Sequence, residues 1–91
     1  MTRSELERYR QMRQVHLMYG IGAVDDPAEY AELERRIIAF AESLDHPADR
    51  AVVALVYLRG MSAIAAGHVM GCSDRTVYRV WAKVLGRLAT E

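Results

Sequence analysis

Residues 62–88 of this 91-residue chain read SAIAAGHVMGCSDRTVYRVWAKVLGRL and carry the pattern that decides the fold. A short apolar segment ends at Gly71, and a second helical segment with a basic residue at every fourth position begins at Ser73. Glycine reaches the left-handed conformation of a helix C-cap without a steric penalty, and a serine side chain caps the next helix. Two helices joined by such a tight turn are typical of a helix-turn-helix, whose second helix enters the DNA major groove.

The first helix of this pair is short. Gly60 ends the preceding helix and Ser62 caps the new one, which leaves about eight residues before the turn. Ala66 and Gly67 are small enough to let the second helix approach closely. We expect the larger apolar side chains of this helix to be buried against the second helix: Ile64, Val69 and Met70.

The second helix is expected to run from Asp74 to about Ala89, with Asp74 placing negative charge at its positive end. At about 100° per residue it separates into two faces. The apolar face, which we expect to be largely buried, comprises Val77, Val80, Trp81, Val84 and Leu88. The opposite side carries a basic stripe of Arg75, Arg79, Lys83 and Arg87.

The basic stripe is compatible with a solvated surface helix or with a DNA-binding helix. The glycine turn and the serine caps favour DNA, because arginine reads guanine edges and both basic residues neutralise phosphates. We therefore predict that DNA is contacted by Ser73, Arg75, Thr76, Tyr78, Arg79, Lys83 and Arg87. The residues nearest the helix N-terminus would reach bases or nearby phosphates, and Lys83 and Arg87 would lie further along the DNA backbone.

Residues 57–62 read YLRGMS, Met70-Gly71 and Ser73 follow, and residues 75–79 read RTVYR. With these motifs the stretch from Tyr57 to Leu88 resembles the helix-turn-helix of the fourth conserved region of bacterial sigma factors. It is more similar still to the ArpU-type regulators that phages encode, although Ala65-Ala66-Gly67 replaces the usual Glu-Ile-Ala. The resemblance implies sequence-specific binding to double-stranded DNA in transcriptional regulation, including that of prophage genes, and a contact with RNA polymerase.

Charge is distributed unevenly although the formal net charge is zero. Residues 25–49 carry two arginines against eight acidic residues, whereas residues 50–91 carry six basic residues against two acidic ones. This asymmetry places the basic surplus in the half that contains the helix-turn-helix, as a polyanion partner requires. The acidic middle is the alternative contact surface for RNA polymerase.

Nothing in the chain resembles a catalytic or metal site. The three histidines lie on different predicted elements, and the single cysteine, Cys72, is expected to be a small core thiol in the turn. We therefore predict no enzymatic activity, no cofactor and no bound metal. The sequence shows neither a membrane span nor a signal peptide, so we expect a cytoplasmic protein.

The front half predicts a helical pair. Ser4 and Glu7 have the spacing of a capping box, and apolar or aromatic residues then recur at helical spacing: Leu6, Tyr9, Met12, His16 and Tyr19. Residues 20–26 are expected to form a loop, and Asp26-Pro27 begins a second helix. Its seam of Tyr30, Leu33, Ile37, Phe40 and Leu44 fits core packing or a helix hairpin. His46-Pro47 begins a third helix that carries Val52, Val53, Leu55, Val56 and Leu58.

These observations predict an all-α protein of about five helices in one compact domain. Residues 1–46 would form an N-terminal helical hairpin for packing or dimerisation, and residues 47–91 the DNA-binding region. A homodimer through the hairpin would present two recognition helices about one DNA turn apart. Two alternatives stay open: a small-terminase-like accessory of phage DNA packaging that assembles into rings, and a protein-interaction module that contacts RNA polymerase without reading DNA.

Overall fold

The computed structural model describes residues 1–88 and confirms an all-α fold of five helices, with no strand in that range. In chain order the helices are α1 (Arg3–Tyr19), α2 (Pro27–Ser43), α3 (Pro47–Val52), α4 (Ala63–Met70) and α5 (Asp74–Leu85). A short 3₁₀ turn, Ile21–Ala23, lies between α1 and α2, and α3 continues as a π-helical segment, Val53–Leu58. Within residues 1–88, no helix has the length and apolar character needed to cross a membrane.

Helix α1 begins two residues earlier than the sequence pattern predicted. Thr2 is the N-cap, and its hydroxyl accepts a hydrogen bond from the Glu5 amide at 3.1 Å. The Glu5 carboxylate in turn accepts from the Thr2 amide at 2.9 Å, which completes a capping box. The predicted pair of Ser4 and Glu7 has the same spacing, but it lies inside the helix because the Thr2 box starts it first.

Helix α2 begins as predicted, with Asp26 accepting a hydrogen bond from the Glu29 amide at 3.0 Å and Pro27 in the first turn. Its seam packs within the chain, and Phe40 alone among the five seam residues is half-buried rather than buried. The Tyr30 ring stacks on Tyr9 of α1, with ring centroids 5.2 Å apart. The seam therefore forms the core of the helical pair.

The residues that recur at helical spacing along α1 are buried only in its first part. Leu6, Tyr9 and Met12 are buried and His16 is half-buried, but Tyr19 is 72% exposed. The buried apolar residues of α1 to α5 belong to one hydrophobic cluster, to which the third predicted helix contributes Val52, Val53, Leu55 and Val56.

The end of α5 also differs from the prediction. The helix ends at Leu85 rather than near Ala89, and Ala89 itself lies outside the described residues. Beyond Leu85 the chain tightens into turns, in which the Arg87 and Leu88 amides donate to the carbonyls of Val84 and Leu85 at 3.1 Å. Glycine is a poor helix former, so Gly86 is a natural place for the helix to stop.

Candidate nucleic-acid interface

The turn between α4 and α5 is built as the sequence predicted. Ser62 accepts a hydrogen bond from the Ala65 amide at 3.1 Å, and α4 then runs for 8 residues to Gly71, which has a φ of 73°. Ser73 accepts from the Thr76 amide at 3.3 Å and starts α5. Cys72, inside the turn, is half-buried and packs against the core cluster. Caps on both sides of the turn fix the direction in which α5 leaves it.

Helix α4 packs on its small residues, not on its large ones. Ala66 and Gly67 are buried, and a Cβ atom at Gly67 would lie 2.6 Å from the backbone oxygen of Cys72. Ile64 and Val69 are 61% and 62% exposed, so the prediction that they are buried is wrong, while Met70 is half-buried. The small side chains let the turn and α5 come close to one face of α4, and that approach turns the larger residues outward.

The apolar face of α5 is anchored by two valines. Val77 and Val84 are fully buried, whereas Val80, Trp81 and Leu88 are only half-buried, which is less than predicted. The two buried valines lie seven residues apart and so occupy nearly the same side of the helix, two turns from each other. They attach both halves of α5 to the core.

Trp81 is half-exposed because it lies at the edge of the apolar face, among polar partners. Its indole N–H donates to the Tyr57 hydroxyl at 2.7 Å, and the Arg10 guanidinium lies 4.9 Å from the centroid of its ring. The exposed Tyr78 ring stacks on Trp81 with centroids 6.0 Å apart. Burial raises the pKa of the Tyr57 phenol, and the Trp81 hydrogen bond partly opposes that rise.

The N-terminal half of α5 presents its basic residues to solvent. Arg75, Tyr78 and Arg79 are exposed, and neither arginine forms an ion pair with any side chain in residues 1–88. Ser73 and Thr76, whose hydroxyl oxygens are 3.2 Å apart, lie beside them at the start of the helix. The N-terminal half of α5 and its cap therefore hold five of the seven predicted contact residues, of which four are exposed and Thr76 is half-buried.

The end of the basic stripe is different because its last two cations, Lys83 near the end of α5 and Arg87 in the turn after it, meet a carboxylate. The Lys83 ammonium lies 3.5 Å from Oδ2 of Asp49, and the Arg87 guanidinium lies 3.9 Å from the same oxygen. Asp49 belongs to the first turn of α3 and is 1% exposed. Asp49 does not stand out in the sequence as part of this site, since a contact between two separate segments leaves no trace in the periodicity of either.

Within residues 1–88 no cluster of three or more His, Cys, Asp or Glu side chains could hold a metal ion. A cavity of about 350 Å³ lies beside the turn, lined by Ile64, His68, Cys72, Ser73 and Asp74. The structure thus forms a capped helix-turn-helix whose second helix exposes arginine and tyrosine side chains.

The family model of the ECF sigma factor matches the chain over residues 1–91. The chain belongs to the ECF sigma factor family. Members of this family are DNA-binding regulators of transcription and not enzymes, which agrees with the helix-turn-helix geometry of α4 and α5. No curated protein and no solved structure matches the chain significantly.

Proposed function

We propose that this ECF sigma factor family member binds double-stranded DNA sequence-specifically through the N-terminal half of α5. The observation that supports this most directly is the pair of exposed arginines, Arg75 and Arg79, which lack ion-pair partners within residues 1–88. They project from the first turns of a helix whose opposite face is fixed by the fully buried Val77. A rigid helix with free arginines at its N-terminus can place guanidinium groups against guanine edges in the major groove.

The other predicted contacts divide by chemistry. Ser73 and Thr76 offer hydroxyls at the helix N-terminus, where the helix dipole favours a phosphate. Tyr78 is exposed on the side of α5 next to Arg75 and Arg79 and can contact a base or a sugar. Lys83 lies further along α5 and Arg87 lies in the turn after it, and we assign both a weaker part in phosphate binding because Asp49 pairs with them.

The test starts from selection of bound sequences out of a random duplex pool, followed by titration of the selected duplex. Arg75→Ala and Arg79→Ala should each weaken specific binding by about 1–3 kcal/mol if each side chain reads a base. Arg35→Ala is the matched control, because Arg35 is an exposed arginine on α2 and its removal changes the net charge equally. Wild-type affinity in the Arg75/Arg79 double variant would contradict the assignment.

We propose further that the chain works with a protein partner, because one helix-turn-helix buries little surface on DNA. In the first arrangement, the partner is a second copy of the chain, bound through α1 and α2 in the predicted homodimer. Those helices leave Leu17, Met18 and Tyr19 exposed, each more than half. In the second arrangement, the partner is RNA polymerase, which binds the acidic stretch of residues 25–49 and holds a monomer of this chain on DNA. Sedimentation at micromolar concentration separates the two, since a strictly monomeric species removes the dimer.

The finer resemblance, to ArpU-type regulators of phage genes, supports a proposal about the target. Its motifs are residues 57–62 and 75–79, which in the structure flank α4 and begin α5. If the protein controls prophage genes, the selected duplex should occur upstream of phage genes in the source genome. An assembly into rings would instead favour the DNA-packaging alternative, and the same sedimentation experiment would detect it.

A further inference from the structure

Asp49 is a buried carboxylate with an unusual set of neighbours. It is 1% exposed, and its Oδ2 accepts no hydrogen bond from any group in residues 1–88. Burying a charged group without hydrogen bonds is unfavourable unless opposite charges offset it. Both nearby cations come from the end of α5 and the turn after it: Lys83 at 3.5 Å and Arg87 at 3.9 Å from the same oxygen.

The other ionisable side chains at this end of α3 bind backbone carbonyls or face solvent. Arg50, the next residue, donates to the backbone carbonyls of Leu44 and Asp45 at 2.7 and 3.2 Å. His46 is the exposed N-cap of α3. Apart from the N-terminal dipole of α3, which favours an acid in the first turn, the Asp49 charge is therefore balanced within residues 1–88 only by the end of α5 and the turn after it.

Lys83 and Arg87 still face solvent on their other side, since their side chains are 49% and 47% exposed. A DNA phosphate could approach them there, but it would compete with Asp49 for the same positive charge. Phosphate contacts supply affinity without regard to sequence, whereas base contacts supply specificity. Whatever withholds Lys83 and Arg87 from phosphates lowers sequence-independent binding and leaves base reading by Arg75 and Arg79 intact.

We propose that Asp49 is a specificity-determining residue, which competes with DNA phosphates for Lys83 and Arg87 and thereby suppresses sequence-independent binding. This inference rests on the proposed DNA-binding function. It makes Asp49 a positioning residue that acts through the two cations and touches no DNA itself. It also explains how a stripe of four basic residues, three on α5 and one in the turn after it, can depend mainly on the first two for recognition.

The test compares Asp49→Asn with Asp45→Asn on a duplex that lacks the selected sequence. Asp45 is an exposed acid four residues away, so its substitution changes the net charge equally without touching α5. Each phosphate contact adds about 0.9 to the slope of log affinity against log salt. Releasing one or two cations should thus steepen the slope by about 1–2 in D49N, and D45N should keep the wild-type slope.

In the same experiment, the advantage of D49N over wild type at 50 mM salt should shrink by roughly 3- to 12-fold at 200 mM. The affinity ratio between selected and unselected duplex should fall in D49N only. Equal slopes for D49N and D45N, or weaker binding by D49N at low salt, would overturn the proposal.

A second variant keeps the proposal testable if D49N does not fold. Lys83→Gln removes a half-exposed cation and should lower the salt slope by well under the value of about 0.9 expected for a cation that neutralises one phosphate. A loss of about 0.9 or more would show that Asp49 does not withhold Lys83 from phosphate, and would overturn the proposal. Failure of the underlying function looks different, because the wild-type protein would then show no selective binding that depends on Arg75 and Arg79.

Discussion

The two halves of residues 74–88, which comprise α5 and the turn after it, carry the same sequence pattern and have different surroundings. Arg75 and Arg79 point into solvent, while Lys83 and Arg87 lie against a buried carboxylate on α3. The reason is geometric: basic residues spaced by four overshoot one helical turn by about 40° at each step. Over the two steps from Arg75 to Lys83 the stripe rotates by about 80°, from the solvent side toward α3, and the turn after Leu85 brings Arg87 near the same carboxylate. A regular basic stripe is therefore not one functional surface.

Because of this difference, the two halves are suited to different tasks: one to contacts with bases, the other to attachment to the rest of the molecule. The N-terminal half has free guanidinium groups beside a capped helix start, which suits recognition of bases. The C-terminal half is tied to the rest of the molecule by Asp49 on α3 and by Arg3 on α1, whose Nε donates to the Leu85 carbonyl at 2.8 Å. The experiments below ask whether the halves differ in charge alone, in packing, or in local stability.

The largest expected effect tests whether packing distinguishes the halves. Val77→Ala and Val84→Ala each remove two methyl groups from a fully buried position, one in each half. We expect both to lower the free energy of unfolding by about 2–3 kcal/mol, from lost burial plus the remaining cavity. Chemical denaturation measures both values. A cost below about 1 kcal/mol for V84A alone would mean that the C-terminal half is held by Asp49 and Arg3 rather than by the core.

The next largest effect concerns the turn between α4 and α5, which sets the direction of the N-terminal half of α5. Gly67→Ala would normally stabilise a helix interior by about 1 kcal/mol. Here the added Cβ would meet the Cys72 backbone oxygen at 2.6 Å, so the backbone must shift. We expect a net loss of about 2 kcal/mol, because overpacking against backbone outweighs the gain in propensity. Ala65→Gly, in the same helix, is the control for propensity, and a stabilised G67A would show that α4 and the turn are not in tight contact.

The sequence was sufficient for the elements that depend on local chemistry. Asp26-Pro27, Ser62, Gly71 and Ser73 begin or end helices where expected, because caps and turns are determined by neighbouring residues. The seam of α2 was also predictable, since one strongly periodic face has to be buried.

Features that depend on how two helices approach each other were not predictable. Ile64 and Val69 were assigned to the core on size, but the close approach at Ala66 and Gly67 selects the opposite face of α4. The cap of α1 was misplaced because Thr2/Glu5 and Ser4/Glu7 fit the same rule. Asp49 could be recognised as an acid in a first turn, yet its burial and its partners on α5 follow only from the packing of α3 on α5.

A smaller effect arises at Tyr57, which meets Trp81 where the two halves join. Burial raises the pKa of Tyr57 in the folded state above the ordinary value of about 10. Its contribution to stability is therefore complete below about pH 10 and is lost as the pH rises through the folded-state pKa. Tyr57→Phe should cost about 1 kcal/mol at pH 7, through loss of the Trp81 hydrogen bond, and should lose less stability between pH 9 and 11 than wild type.

Denaturation at several pH values measures this difference. Burial also raises the pKa of Tyr9. Some loss of stability at alkaline pH should therefore remain in Y57F, and the loss should be smaller still when Tyr9 and Tyr57 are both replaced by Phe. An alkaline slope identical to that of wild type in both variants would contradict the assignment.

The smallest effect is also the most local. Arg3→Met removes the side chain that donates to the Leu85 carbonyl, one of the last carbonyls of α5, which lack partners within the helix. Arg3 is exposed, so we expect a loss of only about 0.5 kcal/mol in global stability. Amide hydrogen exchange should be more revealing, with faster exchange at the end of α5 near Leu85 and unchanged exchange around Arg79. Arg35→Met on α2 provides the control for loss of an exposed arginine. Equal acceleration along the whole of α5 would mean that the two halves open together, and that their difference lies in charge and not in local stability.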